Sequence, residues 1–284
     1  MSDGLEQSIT TITPEHVITV VGVALFAWWL VRTSLGRTAL VHSRPRRNRM
    51  ALYTPLIPFL IWMLGTAVLQ RLVVDIIGPV RDWRLTFANS VVYCIGSLLS
   101  VVAMLILAKR DFARGLTGWG LRCKTVPKDL GLAAVRLLAV WPLVMVMIVI
   151  VMAVGKALQG PGYEIPQHEE LELITTSTQR SLQVLIVILA VVVAPLVEEM
   201  LFRGLFQTMI RSYWGRPWLS IAITSVLFAT VHQNPEHWPA LFMLAMGLGY
   251  TYEKSGSLLQ PIFMHALFNG VTVASALAEQ AARM

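Results

Sequence analysis

Charged residues are scarce in this sequence: they make up 14% of its 284 residues, whereas hydrophobic residues make up 56%. A soluble domain is nearer a quarter charged, so this composition excludes both a disordered chain and a soluble fold. Cysteine is also scarce. With only Cys94 and Cys123 present, the sequence excludes a disulfide scaffold and a cysteine-rich metal site.

The sequence also lacks the alternating pattern of a barrel strand, internal repeats and low-complexity tracts. Its apolar residues instead form long runs, and a helix needs about 20 residues to cross the hydrocarbon core. Because backbone groups in lipid need internal partners, we predict an all-α fold, a polytopic transmembrane helix bundle of about eight spans. The predicted spans are 17–31, 53–69, 87–107, 137–154, 182–206, 218–232, 240–252 and 258–277, of which the sixth and seventh are short.

The residues before the first span are polar and slightly acidic, unlike the basic start of a signal peptide, and no small-residue cleavage pattern follows the span. We therefore expect the first span to be retained. The predicted organisation is a polar N-terminal segment, residues 1–16, followed by a single transmembrane domain, residues 17–279.

Basic residues gather in alternate loops. Residues 32–49 hold six arginines and no acid, and residues 109–128 hold six basic residues against one aspartate. Arg211, Arg216 and Lys254 fall in the later loops of the same parity. The positive-inside rule makes these loops cytoplasmic and both termini external. The net charge of +7 is thereby explained without nucleic acid, and anionic lipids are the expected partners of these loops.

Three later spans carry polar residues inside the predicted hydrocarbon region, where inserting a charged group costs free energy. A charged group at bilayer depth costs at least about 2.5–3.5 kcal/mol on insertion scales, so it suggests a function. The chain reads Glu-Glu-x-x-x-Arg at 198–203, Phe-x-x-x-His at 228–232 and His-x-x-x-Asn at 265–269. Counting helical rise from the span ends brings the polar groups of all three motifs to mid-membrane depth, tilted toward the cytoplasmic side.

Helical spacing divides the charged residues of the first motif. Glu199 and Arg203 are four residues apart and share one helix face, so we predict a structural ion pair between them. Glu198 lies about 100° around the helix and cannot share Arg203 equally well. It is therefore the candidate for a free, desolvated carboxylate.

The sequence contains neither His-Glu-x-x-His nor Gly-x-Ser-x-Gly, so the commonest zinc-protease and serine-hydrolase patterns are absent. A carboxylate base, two imidazoles and an amide suit direct attack of water on a carbonyl group. The same Glu198, His232 and His265 also satisfy the three protein ligands of a catalytic zinc. The residues alone leave both chemistries open.

The three motifs, in this order on successive hydrophobic segments, resemble those of the CPBP intramembrane proteases. This family groups CAAX prenyl endopeptidases with bacterial bacteriocin-processing and immunity proteins. The resemblance implies a protease core at residues 182–278, a cavity open toward the cytoplasm, and a site in the cell membrane. It implies that Glu198 activates water, that His232 assists proton transfer, and that His265 and Asn269 form an oxyanion hole.

The resemblance leaves the cofactor open, because members have been described as metalloenzymes and as glutamate-dependent hydrolases. A divalent metal such as zinc, or no cofactor at all, remains compatible with the motifs. The expected substrate is a membrane-associated peptide or protein. Two other functions stay open: a transporter that uses the buried Glu, His and Arg groups for ion passage, and a non-catalytic immunity or scaffold protein that uses them for packing.

Overall fold

The structure is a computed structural model that describes residues 14–78 and 83–283, and every regular element within these ranges is a helix. The prediction of an all-α chain is confirmed. Residues 1–13 of the predicted polar segment lie outside the described residues. In chain order the helices are α1 Pro14–Arg32, α2 Leu56–Ile77, α3 Trp83–Asp111, α4 Gly115–Trp119, α5 Val126–Gln159, α6 Glu169–Thr176, α7 Arg180–Trp214, α8 Pro217–Thr230, α9 Trp238–Ser255 and α10 Leu259–Arg283.

Five helical stretches are long and apolar enough to cross a membrane: Leu56–Ile77, Trp83–Asp111, Cys123–Gln159, Arg180–Trp214 and Leu259–Ala282. Two shorter apolar helices are Val17–Arg32 and Pro217–Thr230. The predicted span 240–252 lies inside α9, which is less apolar and carries Glu253 and Lys254 in its last turn. A multi-pass membrane protein is confirmed, and the count of eight spans stays a prediction.

The short hairpin of α8 and α9 has sharp boundaries. Helix α7 ends at Gly215, whose φ of +68° is the left-handed conformation that stops a helix. Helix α8 then begins at Pro217, where the missing N–H costs nothing because that group has no intrahelical partner. Helix α9 ends in the same way at Gly256, with φ of +69°. These stops separate three helices that bring polar residues to one place.

Helix α7 is the central helix of this half of the bundle. All its residues from 197 to 208 are buried, and α3, α8, α9 and α10 pack around it. Two stretches of α7, Leu189–Val193 and Met200–Gln207, have the wider π-helical hydrogen bonding. Such stretches are frequent at functional sites because they alter the rotation of the side chains that follow.

Close helix approach depends on two glycines. A Cβ at Gly204 would lie 2.6 Å from the ring of Trp119, so no larger residue fits without displacing that ring. A Cβ at Gly247 would lie 2.6 Å from Val140 on α5. The two glycines therefore allow α7 and α9 to approach their neighbours closely.

Candidate intramembrane active site

A fully buried ion pair holds the central helix to its neighbours. Arg203 Nη1 lies 2.8 Å from Glu199 Oε1, the i,i+4 contact that the sequence predicts, and the two side chains are 1% and 0% exposed. Arg203 Nη2 also donates to the Ala245 carbonyl of α9 at 3.2 Å. The guanidinium lies 4.5 Å above the ring of Phe228 on α8. One arginine thus connects α7, α8 and α9.

Glu199 has a second partner, which helical spacing does not reveal. His265 Nδ1 lies 3.0 Å from the same Oε1 that accepts from Arg203. Because a carboxylate oxygen accepts and cannot donate when ionised, Nδ1 is the protonated nitrogen of this pair. Glu199 therefore fixes the orientation of the His265 ring and turns its Nε2 toward Glu198.

Glu198 is the carboxylate that remains free. Its Oε2 lies 4.0 Å from His265 Nε2, beyond hydrogen-bond distance. No donor among the described residues hydrogen-bonds to it, and the residue is 9% exposed where Glu199 is 0% exposed. Glu198 therefore combines burial with an open lone pair, and it faces an imidazole nitrogen.

The ring of Phe228 lies between the two imidazoles. Its centroid is 5.0 Å from that of His232 and 5.7 Å from that of His265. His232 Nδ1 lies 2.8 Å from the Phe228 carbonyl, so Nδ1 carries the proton and Nε2 keeps a lone pair in the neutral ring. No hydrogen bond joins His232 to Glu198 within the described ranges. Both imidazoles nevertheless lie within electrostatic range of Glu198.

Asn269 contacts α7 further from the carboxylates. The N–H of Ala194 bonds to the carbonyl of Leu189, five residues back, in the first π-helical stretch. In the same pattern the carbonyl of Ala190 would accept from residue 195, but Pro195 has no N–H. Asn269 Nδ2 donates to this carbonyl at 2.7 Å. One of its two N–H groups is therefore occupied, and the other makes no hydrogen bond with the residues that the structure describes.

The three residues that the sequence offers as zinc ligands do not assemble into such a site. Glu198 Oε2 and His265 Nε2 lie 4.0 Å apart, whereas two atoms that each lie about 2 Å from a tetrahedral zinc are about 3.3 Å from one another. Among the described residues no three His, Cys, Asp or Glu side chains are grouped so as to hold a metal ion. The metalloprotease interpretation is unsupported, and no step below uses a metal.

Pro166, His168, His237 and Trp238 pack next to His232, and we call them the outer cover because the charge bias predicts this end of the bundle to be external. The rings of His168 and His237 stack with centroids 3.8 Å apart, and His237 Nε2 lies 2.8 Å from the Pro166 carbonyl. Trp238 Nε1 donates to the carbonyl of His232 at 2.9 Å. Burial, followed by the charges of His237 and His232, lowers the pKa of His168 to about 4. The segment before α6 is thus packed against the tip of the α8–α9 hairpin.

Two further residues near the site have no motif that identifies them. Trp119 is fully buried, donates from Nε1 to the Gly204 carbonyl at 2.8 Å, and accepts from the Tyr252 hydroxyl at 2.9 Å. Tyr93 on α3 lies close enough to Glu198 for the carboxylate charge to act on its hydroxyl group.

Comparison with known proteins matches the part of the chain that holds this geometry. Residues 180–271 match the family model described as type II CAAX prenyl endopeptidase Rce1-like. The resemblance to the CPBP intramembrane proteases is confirmed. This Rce1-like segment, residues 180–271, contains all three motifs and matches the model of a protease family.

A relative from Escherichia coli, described as an uncharacterized 24.3 kDa protein, is 31% identical to this chain over 119 residues. The alignment covers 40% of this chain and 55% of the relative. The chain therefore spans about half the length of the curated relative that it matches. No solved structure matches.

Proposed function

We propose that this protein is an intramembrane endopeptidase that hydrolyses a peptide bond of a membrane-associated protein or peptide by means of a water molecule activated by Glu198. The observation that supports the proposal most strongly is the free carboxylate of Glu198, buried beside His265 and without a protein donor in the described part of the chain. The match of the Rce1-like segment to a protease family supports the same reaction class.

In this mechanism Glu198 removes a proton from water as the oxygen bonds to the scissile carbonyl carbon. The resulting tetrahedral oxyanion is stabilised by N–H donors aimed at the position where its charge develops. Asn269 has one N–H available for this purpose. The carbon–nitrogen bond then breaks, and the leaving nitrogen receives the proton that Glu198 took, with the free Nε2 of His232 as the relay.

His265 can act as the second donor only in one protonation state. Its Nδ1 proton is committed to Glu199, so Nε2 donates to an oxyanion only when the ring carries both protons. Glu199 and Arg203 act as positioning residues because they orient this ring and do not reach the substrate. The oxyanion-hole assignment therefore requires a doubly protonated His265.

The site opens toward the cytoplasm in this proposal. The outer side of His232 is covered by the packed segment that includes Pro166 and His168. The opposite end of α8 begins after Arg211 and Arg216, in a loop that the charge bias makes cytoplasmic. Reporter fusions at Thr125 and Gly162, which flank α5, test this: we expect a cytoplasmic signal at Thr125 only. A cytoplasmic signal at Gly162 would reverse the orientation.

The reaction is tested with purified wild type and Glu198→Gln on a library of peptides that includes farnesylated CAAX peptides, with products identified by mass spectrometry. Loss of a general base typically lowers the rate about 10²–10⁴-fold, and we expect that loss in Glu198→Gln. The matched control is Glu172→Gln, the same change at an exposed position of α6, which should retain wild-type activity.

Repeating the assay with EDTA distinguishes the metal-free mechanism from a zinc-dependent one. We expect EDTA to leave the wild-type rate unchanged. A rate lost with EDTA and restored by added zinc would contradict the metal-free mechanism, and full activity of Glu198→Gln would contradict the role of Glu198. Absence of any cleavage by the wild type over the whole library would argue against the protease proposal itself.

A further inference from the structure

A groove of about 370 Å³ lies between the end of α1 and the start of α8, at the opposite end of α8 from His232. Its walls are formed by Trp29, Leu35, Gly36, Arg37 and Trp218. We refer to these five residues as the aromatic groove. It combines two indole rings, one aliphatic side chain and one cation, which is a mixture suited to a ligand with both apolar and anionic parts.

The two tryptophan walls are held in place from behind by Tyr250 of α9. Trp29 Nε1 donates to the Tyr250 hydroxyl at 2.8 Å, and the ring of Trp218 stacks on that of Tyr250 at 5.8 Å with an interplanar angle of 10°. The turn between the walls is buried at Gly36, whose φ is +86°. The groove is therefore formed before any ligand arrives, which reduces the entropic cost of binding.

Apolar and basic side chains meet at this end of α1. Val31 and Leu35 are 80% and 74% exposed, as expected for side chains that face lipid. Arg32 and Arg37 stand beside them and begin the basic loop, residues 32–49, which contains no acid. Exposed tryptophan, aliphatic and arginine side chains together mark the boundary between the hydrocarbon core and the lipid headgroups.

Two donors of the groove are unused. The Arg37 guanidinium and the Trp218 indole N–H make no hydrogen bond or ion pair with the residues that the structure describes, whereas the Trp29 indole is occupied by Tyr250. An arginine fork matches the two oxygens of a phosphate. The unused donors and the excess of positive charge both favour an anionic, phosphate-containing ligand.

We propose that the aromatic groove binds one anionic phospholipid of the surrounding bilayer, with its phosphate against Arg37 and its glycerol and upper acyl region between the two indole rings. This site is separate from the candidate active site and does not depend on the proposed proteolysis.

The test uses the full-length protein purified in an uncharged detergent and titrated with phosphatidylglycerol or phosphatidylcholine, with bound lipids counted by native mass spectrometry. We expect one tight phosphatidylglycerol and no equally tight phosphatidylcholine. One arginine near an anionic surface corresponds to about a fivefold change in binding, and we expect that loss in Arg37→Gln. Arg37→Lys, which keeps the charge and loses the fork, should weaken binding less.

The matched control is Arg44→Gln, which removes the same charge from an exposed position of the same loop outside the groove. It should bind phosphatidylglycerol within twofold of wild type. Equal losses in Arg37→Gln and Arg44→Gln would overturn the proposal in favour of diffuse attraction. Equal affinity for both lipids would contradict the proposal that Arg37 selects an anionic headgroup. A dimer that excludes lipid would identify the groove as an interface between two copies.

Discussion

Two buried carboxylates in this bundle differ in how completely their oxygens are used. Asp129, in the first turn of α5, is 3% exposed and accepts three hydrogen bonds. Thr125 and Ser257 donate to its Oδ2 at 2.6 and 2.7 Å, and Gln260 donates to its Oδ1 at 2.6 Å. Asp129 therefore joins the start of α5 to the turn between α9 and α10. Both of its carboxylate oxygens accept hydrogen bonds.

Glu198 is buried to a similar degree and accepts from no protein donor in the described ranges. The charged pair beside it is incomplete as well, since Glu199 Oε2 and Arg203 Nε are buried without partners there. A buried polar group that stays unsatisfied costs about 1–3 kcal/mol, so a purely structural cluster would be expected to close these gaps, as the cluster of Asp129 does. Both carboxylates are buried, so burial does not separate them; what separates Glu198 from Asp129 is its unused hydrogen-bonding capacity.

The largest expected effect is on folding, from Glu199→Ala. Removal of this carboxylate leaves Arg203 and His265 without their shared acceptor, and breaking a buried pair costs about 3–5 kcal/mol. We expect a strong loss of folded yield and of resistance to denaturant, measured by fluorescence-detected size exclusion and by SDS titration. Glu198→Ala serves as the control and should fold nearly as the wild type does. The reverse result would exchange the roles of the two glutamates.

The second prediction concerns Asn269→Ala. Loss of an oxyanion donor typically lowers kcat about 10²–10³-fold, and we expect this with KM nearly unchanged. The available N–H of Asn269 is the reason, and steady-state kinetics on a cleaved peptide is the measurement. A raised KM with normal kcat would mean that Asn269 holds the substrate.

The control for this experiment is to make Asn269→Ala in a protein that already carries Pro195→Ala. Alanine restores an N–H that can satisfy the Ala190 carbonyl, so Asn269 is released from its structural contact. If Asn269 serves only that carbonyl, Asn269→Ala should cost little activity in the Pro195→Ala background. We expect the full loss of kcat to persist there.

The third prediction compares Asp129 and Glu198 directly by matched amide substitutions. Asp129→Asn weakens three hydrogen bonds to a charged acceptor, and we expect a loss of about 1–3 kcal/mol in the free energy of unfolding. Glu198→Gln should change it by less than about 0.5 kcal/mol, because no protein hydrogen bond is lost. The same SDS titration measures both. Equal destabilisation would remove the distinction between the two carboxylates.

The smallest effect is a pH dependence at the outer cover. Packing lowers the pKa of His168 below its ordinary value of 6.5 to about 4, so its neutral form stabilises the packed segment. This stabilisation is complete above pH 6.5 and is lost as the pH falls from 6.5 toward 4. Because His168 is only half-buried, solvent screening limits the change to about 1 kcal/mol or less.

His168→Phe provides the control for this effect, since phenylalanine can stack on His237 and cannot take a proton. We expect limited proteolysis between α5 and α7 to quicken at pH 5 relative to pH 7 in the wild type and to change less in His168→Phe. An unchanged pH response in this variant would assign the dependence to His237 or His232.

The sequence predicts the helical class, the central run of α7 and the order of the three motifs, because hydropathy and i,i+4 spacing are local properties. The contact of His265 with Glu199 depends on how α10 rests against α7, and no local pattern carries that information. The π-helical stretches cannot be predicted from a pattern that assumes 3.6 residues per turn. The contact of Asn269 with Ala190 depends on such a stretch, so it cannot be predicted either. The stacking of His168 on His237 cannot be predicted from the sequence because it joins two loops that are distant along the chain.

The shortness of α8 has a consequence for the lipid around the protein. Its 14 residues rise about 21 Å, whereas the hydrocarbon core is about 30 Å thick. Val226 and Leu227 on this helix and Val231 directly after it are 50%, 39% and 37% exposed, so this face is accessible to bilayer lipid. The bilayer relieves such a mismatch by local thinning. In the proposed orientation, headgroups and water are thereby drawn inward at the cytoplasmic end of α8, which shortens the path that a polar substrate segment would travel through hydrocarbon before it reaches Glu198.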